Sequence, residues 1–295
     1  MLVHASLFSG IGGFDLAADW MGWDNLFHCE WNPFGQRVLK YHFPKSISYN
    51  DITKTDFTIH EGAVDILTGG FPCQPYSTAG KRLGKADERH LFPHMLRCIK
   101  EVKPRWVVGE NVRGLVNWNG GLVFNEVYDD LEREGYEVQS FLIPAASVNA
   151  PHQRYRIWFI AYSKNFRFSQ SKTFNEWEKY QSNNRYKFWD TFSTIGNIGV
   201  ITNSDTARVH EQHNSTESVK QEQFSRSSFE RRNFSRFPTQ SPICGGDDGI
   251  PRELDSITFS KWRNESIKAY GNAIVPQVAH QIFKAIEEFE LMVNK

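Results

Sequence analysis

The sequence predicts an α/β protein: a doubly wound sheet whose chain is interrupted by a small inserted domain. Three observations carry that expectation. Short apolar runs alternate with segments of helical spacing over residues 1–162. The first run ends in a glycine turn that opens a helix, and an acidic residue follows about twenty positions later, as in sheets that hold nucleotides. Hydrophobic periodicity then fades over residues 163–262 and returns in a last amphipathic helix.

The composition is that of a globular chain. Its 295 residues are 40% hydrophobic, ample for a core, and the net charge is +0, so any basic surface must be local. The four cysteines, Cys29, Cys73, Cys98 and Cys244, are scattered without C-x-x-C spacing, against both a disulfide framework and a zinc site. Met1 leads within a few residues into a core strand, without a charged-then-apolar leader, and no apolar run reaches membrane-spanning length. A cytoplasmic protein with reduced thiols, no metal and no membrane partner is expected.

Val3–Phe8 reads as the first strand, and Ser9-Gly10-Ile11-Gly12-Gly13 turns it into a helix. Glycines there let a backbone approach a ligand at a helix N-terminus, although a plain tight turn also explains them. The full G-x-G-x-x-G fingerprint is not met, because Asp15 stands where its third glycine belongs. A second strand, Asn25–Cys29, ends in Glu30-Trp31: an acid for ribose hydroxyls and an indole to stack on adenine. After a helix from Phe34 to Tyr41, Asn50-Asp51-Ile52 closes a third unit, with Asp51 able to accept from an adenine amino group.

The fourth strand, Val64–Thr68, runs into Gly69-Gly70-Phe71-Pro72-Cys73-Gln74-Pro75, which delivers Cys73 to the carboxyl edge of the sheet. A buried structural thiol is the alternative reading. The loop from Ser77 to His90 carries Lys81, Arg82, Lys85 and Arg89, cations that suit phosphates in a loop long enough to act as a lid. A helix from Leu91 to Val102 and a strand, Trp106–Gly109, bring Glu110-Asn111-Val112 to the same edge, where burial would keep an acid protonated. A helix over Asn125–Glu134 and strands at Val138–Pro144 and Tyr155–Ala161 follow. Arg154 and Arg156, at i and i+2 on an extended segment, would share the face of the cleft.

Residues 163–246 hold twelve Lys and Arg against eight Asp and Glu, a local basic footprint that suits a phosphate backbone and includes Arg231 and Arg232. The low apolar content of residues 203–232 equally suits a disordered insertion. Gly271-Asn272-Ala273 then leads to a helix whose Val278, Ile282, Phe283, Ile286 and Phe289 form one apolar face. That face is expected to pack back on the first domain, making it discontinuous.

Phe8-x-Gly10-x-Gly12, Glu30-Trp31, Asp51-Ile52, Pro72-Cys73-Gln74, Glu110-Asn111-Val112, Arg154-x-Arg156 and Gly271-Asn272-Ala273 occur in the order and rough spacing of the DNA (cytosine-5)-methyltransferases of bacterial or phage type, which the chain resembles over about two thirds of its length. The resemblance implies a Rossmann-like methyltransferase sheet and S-adenosyl-L-methionine as cofactor, with Phe8, Gly10, Gly12, Glu30, Trp31, Asp51, Ile52, Pro72, Leu91 and Asn272 at its binding positions. It implies Cys73 as nucleophile, with Glu110, Arg154 and Arg156 as partners. A catalytic domain of residues 1–162 and 263–295 would be interrupted by a target-recognition domain at 163–262. Double-stranded DNA is the expected substrate, with Gln74, Ser77 and the nearby cations at its surface, and a restriction endonuclease of the same specificity is the possible partner. One departure is visible: the family's Pro-Gln before Arg-x-Arg is here Pro151-His152, with Gln153 one residue later.

Such chemistry needs these residue types. Carbon 5 of cytosine is a weak nucleophile until a thiolate adds to carbon 6, with the ring charge relieved by a proton or hydrogen bond at the neighbouring nitrogen. The base must also leave the duplex stack. A tRNA cytosine-5 methyltransferase and a catalytically idle DNA-binding relative are the alternatives. The former tends to lack a recognition region of this size, and the intact Cys73 and Glu110 speak against the latter.

Overall fold

A computed structural model describes residues 1–72, 91–164, 199–201 and 260–293 of the chain. Among these residues, eight strands form one sheet: β1 (Val3–Leu7), β2 (Asp24–Cys29), β3 (Ile47–Tyr49), β4 (Ile66–Gly69), β5 (Trp106–Val112), β6 (Tyr136–Ile143), β7 (Arg156–Ser163) and β8 (Gly199–Ile201). They lie in the order β3-β2-β1-β4-β5-β7-β6-β8. The first five are parallel, while β7 runs antiparallel to both β5 and β6. The chain winds outward from β1 to β3 and then crosses to β4, so the order reverses between β1 and β4, where open α/β sheets leave a crevice.

Helices α1 (Gly13–Trp20), α2 (Pro33–His42), α3 (Phe92–Val102) and α4 (Leu122–Arg133) come after β1, β2, β4 and β5 respectively in the chain. Helix α5 (Ser260–Asn272) precedes the last helix, α6 (Pro276–Val293). On one face of the sheet, residues of α3 and α4 pack on Leu7, Leu67, Val107 and Phe159. On the other, Phe14 and Ala17 of α1 and Val278, Ile282, Phe283 and Ile286 of α6 pack on Ile66, Trp106, Val108 and Trp158. Each large apolar side chain so buried stabilises by about 1.5–3 kcal/mol. The apolar face read from the last helix therefore packs on the sheet.

The chain divides into two compact units, Met1–Ala207 with Asn272–Lys295, and Arg208–Gly271. The first is made of two stretches of chain separated by the second. Of the second unit, the structure describes the part of α5 up to Gly271, in which Ser266 Oγ donates back to the Trp262 carbonyl.

Three differences from the sequence expectation bear on the site. β3 occupies Ile47–Tyr49, so Asn50-Asp51-Ile52 begins the loop that leaves the strand. β5 runs on through Val112, which makes Glu110 a strand residue with a partner, Trp158, across the ladder. α4 starts at Leu122, after a 3₁₀ segment over Arg113–Gly121.

A buried polar network lies beneath the glycine turn. Ser6 Oγ donates to the Asp15 carboxylate at 2.9 and 3.0 Å and is hydrogen-bonded to Ser9 Oγ at 2.6 Å. His4 spans Asn25 Oδ1 at 2.6 Å and Thr68 Oγ1 at 2.9 Å. Burial raises the Asp15 pKa to about 7 and lowers that of His4 to about 4. Folded Asp15 thus holds a proton that the unfolded chain releases between its usual value near 3.8 and about 7, so its contribution to stability falls as pH rises through that window. The neutral His4 acts in the opposite sense below its unfolded value. Asp15→Asn removes only the first effect: its stability relative to the parent should rise from pH 5 to pH 8 in urea titrations. A flat difference would mean that Asp15 does not titrate there.

Candidate active site

Backbone pairing places Cys29, Leu7, Gly69 and Gly109 side by side across four adjacent strands. One residue further along each strand, Glu30, Phe8, Gly70 and Glu110 form the carboxyl edge of the sheet. The residues singled out in the sequence on β1, β2, β4 and β5 thus reach one edge because those strands stay parallel and in register.

On the β4–β5 side, Glu110 is buried and Arg156 Nε lies 2.9 Å from its Oε1. Burial raises the Glu110 pKa to about 7, against the opposing pull of the Arg156 and Arg154 charges. A Cβ on Gly70 would lie 3.2 Å from Glu110 Oε2, so the β4 chain passes this carboxyl with little room for a side chain. Asn111 turns to the opposite face and donates Nδ2 to the Phe71 carbonyl at 3.0 Å, while its Oδ1 accepts the Val112 N–H. Phe71 in turn packs between Phe92 and Phe159. The chain is therefore fixed up to Pro72, the residue before Cys73. Cys73 itself, with Gln74, Ser77, Lys81, Arg82, Lys85, Arg89, Arg231 and Arg232, lies outside the described residues.

The paired arginines need a correction. Arg154 is not on an extended segment: its φ is +37°, in the left-handed region, and β7 starts only at Arg156. Alternation along a strand does not relate the two side chains. Arg156 meets Glu110 directly, whereas Arg154 Nη2 donates to the Ala273 carbonyl at 2.7 Å. Both nevertheless lie near enough to Glu110 for their charges to act on it.

On the β1–β2 side, positive φ at Phe8, Gly10 and Gly12 folds the turn back toward α1. Open space surrounds the position where a Gly10 Cβ would stand. Glu30 Oε2 accepts the Gly10 N–H and its Oε1 accepts the Asn32 N–H, each at 2.7 Å. Burial holds the Glu30 pKa above the usual range, although those two backbone donors pull the other way. The Asn32 side chain caps α2 through the Phe34 N–H, and Trp31 between them is 72% exposed. Glu30 N–H donates to the Tyr49 carbonyl, so Glu30 and the Asn50-Asp51 loop leave adjacent strands together. Asp51 Oδ1 accepts the N–H and hydroxyl of Thr53, which lower its pKa. Ile52 is buried, and its carbonyl accepts from Arg97. Pro72 and Leu91 are half-buried at the two ends of the 73–90 stretch, and Asn272 is the exposed last residue of α5.

Two residues escaped the sequence reading. Asn111 lay inside a recognised motif, yet nothing local says that its amide reaches Phe71. Gly35, a glycine within a helical pattern, was the only visible signal for the other. A Cβ there would lie 2.5 Å from the Gly10 carbonyl and 2.9 Å from Glu30 Cγ, so α2 presses on the turn through bare backbone. Gly35→Ala should therefore destabilise the chain by about 1–3 kcal/mol, despite the helix preference of alanine, and shift the turn. Urea unfolding measures the first effect and an amide NMR shift at Gly10 the second. Unchanged values would show that the approach is loose.

Among the described residues no cluster of His, Cys, Asp or Glu could hold a metal ion, and no helix is long and apolar enough to cross a membrane. A family model described as C-5 cytosine-specific DNA methylase matches residues 2–248. The chain is 34% identical to Type II methyltransferase M.HaeII of Haemophilus aegyptius over 176 residues, 59% of this chain and 54% of that protein. It is 38% identical to Type II methyltransferase M.PspPI of a Psychrobacter species over 157 residues, 52% of this chain and 38% of that protein. The solved structure of Spodoptera frugiperda DNMT2 matches with a TM-score of 0.48 at 26% identity, covering 59% of this chain and 54% of that one. The chain spans about half the length, or less, of the curated relatives it matches.

Proposed function

The chain belongs to the C-5 cytosine-specific DNA methylase family, and from that premise we propose that it methylates carbon 5 of cytosine in duplex DNA with S-adenosyl-L-methionine as donor. The observation that carries this reading is the buried Glu110 carboxyl, titrating near neutrality beside Arg156, at the sheet edge to which β4 leads the chain toward Cys73.

The residues of the turn fit the cofactor. Gly10 leaves open space beside the backbone, Glu30 offers carboxylate lone pairs to ribose hydroxyls, and the exposed Trp31 offers an indole face to adenine. Asp51, on the neighbouring strand's loop, is the acceptor for the adenine amino group, and Phe8, Gly12, Ile52, Pro72, Leu91 and Asn272 complete the assignment. When bound, S-adenosyl-L-methionine supplies a methyl group on a positively charged sulfonium.

On the base side, the Cys73 thiolate adds to carbon 6 of an extruded cytosine, which makes carbon 5 enamine-like. Negative charge builds at the ring nitrogen between the carbonyl and the amino-bearing carbon. Glu110, protonated up to about pH 7, donates there. Arg156 holds the carboxyl through Nε and aims its charge at the same region. Once carbon 5 has taken the methyl group from the donor, loss of the carbon-5 proton and expulsion of the thiol restore the ring and free Cys73. Residues 163–262 form the proposed target-recognition region, with Arg231 and Arg232 on phosphates and the lid from Ser77 to His90 over the extruded base. Its relatives are named Type II methyltransferases, which supports pairing with a restriction endonuclease of the same specificity in the cytoplasm of a bacterial cell.

Two outcomes test this. Duplex DNA carrying 5-fluorocytosine at the target should trap a covalent complex with the parent and none with Cys73→Ala; trapping by the variant would refute the nucleophile. In single-turnover methylation, the parent should show a rate limb that declines as pH rises through about 7, because the donating form of Glu110 is the protonated one. Glu110→Gln should be slower by about 10²-fold or more and lack that limb. A limb that survives in the variant belongs to another group.

A further inference from the structure

The return segment between α5 and α6 touches both sides of the site. Its Ala273 carbonyl accepts Arg154 Nη2 at 2.7 Å. The next side chain, Ile274, lies over Gly13, the first residue of α1: a Cβ on that glycine would stand 2.6 Å from Ile274 Cγ1 and 3.6 Å from its carbonyl oxygen. Ile274 and Val275 pack on the core beneath α1 and α6, and the Val275 carbonyl accepts the Val278 N–H at the start of α6. Three residues are thus gripped by Arg154, by the cofactor turn and by the last helix. Arg154 holds a left-handed backbone that a residue with a Cβ seldom adopts, a cost that persists only where the surroundings fix the residue.

We propose that Arg154 is a positioning residue that latches the return segment onto the glycine turn, so that the cofactor pocket and the Glu110 site assemble as one unit. The functional consequence rests on the reading of the site given above; the mechanical link does not. Arg154 stands on the Glu110 side, yet its hydrogen bond keeps Ala273 in place, and Ala273 carries Ile274 against Gly13. Releasing it lets the segment relax from α1 at the end that bears the turn. Arg156, which meets Glu110 directly, has no such path to Gly13 and serves as the contrast.

The test compares Arg154→Lys, Ile274→Ala and their double variant with the parent and with Arg156→Lys, at matched thermal midpoints. Hydrogen exchange in the ligand-free chain reads the link itself. Arg154→Lys should speed exchange of the backbone amides of residues 10–16 and 273–278 by about tenfold, about as much as Ile274→Ala, while Arg156→Lys leaves both segments at parental rates. Calorimetry with S-adenosyl-L-homocysteine reads the consequence: about tenfold weaker binding in each single variant, and a double variant no weaker than the worse single. Should Arg154→Lys fail to fold, Gly13→Ala displaces Ile274 from the other side and should produce the same exchange pattern at residues 273–278. Parental exchange at residues 10–16 in Arg154→Lys, or affinities that add in the double variant, would overturn the latch. A parent that binds no S-adenosyl-L-homocysteine, with the exchange pattern intact, would sink the methyltransferase reading and leave the latch standing.

Discussion

The architecture depends on α6 reaching back to the strands at the start of the chain. Its Glu290 carboxylate accepts from the Arg105 guanidinium and from Trp106 Nε1, and Arg105 pairs at the same time with Asp65, whose other oxygen accepts the Val3 N–H. Charges this poorly hydrated are tolerable because each is matched and hydrogen-bonded; one partner removed alone would leave the others buried and uncompensated. Around this polar anchor Phe283 lies against Phe14, Trp23 and His4, and Phe289 meets Trp106 edge-on. Without the helix, the part of this sheet face that α1 does not cover would stand in water. The same docking brings the segment before α6 to the glycine turn, so a packing requirement of the last helix also shapes the turn after the first strand, where the cofactor is proposed to bind.

Under the turn, the structure places polar groups where a fold concerned with stability alone would place leucines. Asp15, Ser6, Ser9, His4, Asn25 and Thr68 are joined in one network across β1, α1, β2 and β4. Such a network fixes relative positions more narrowly than apolar packing can, because each hydrogen bond specifies a direction. Its cost is a buried carboxyl that resists ionisation. The Ser9 hydroxyl also reaches the Ser6 and Cys29 carbonyls, which ties the entry of the turn to both strands.

Much of this was legible before the structure. The strands of the first half, the helix after the glycines and the apolar face of the last helix follow from short apolar runs and a spacing of about 3.6, and those are local properties. The edge residues Phe8, Glu30 and Glu110 were legible because strand ends and glycines punctuate the chain. What the sequence hid is long-range. Gly35 matters through a carbonyl 25 residues earlier, Asn111 through the Phe71 carbonyl, and Arg154 through a carbonyl at Ala273. Arg154 also shows how a sound local rule misleads: spacing of two predicts a shared face only when the backbone is extended, and a φ of +37° removes that premise.

Glu30 and Glu110 sit in the same row of one sheet edge, on strands with the same direction, and differ in what surrounds their oxygens. Glu30 is offered two backbone N–H groups, donors that cannot be withdrawn and that favour its ionised form. Burial raises both pKa values, but Glu110 is the more deeply buried and is met by a guanidinium nitrogen, and its proton is kept to about pH 7. A carboxyl held in place by backbone donors suits the binding of hydroxyl groups, whereas an acid that titrates near cellular pH suits the delivery of a proton. The sheet register places two identical side chains at equivalent positions, and their unlike partners divide the proposed reaction into a binding half and a chemical half.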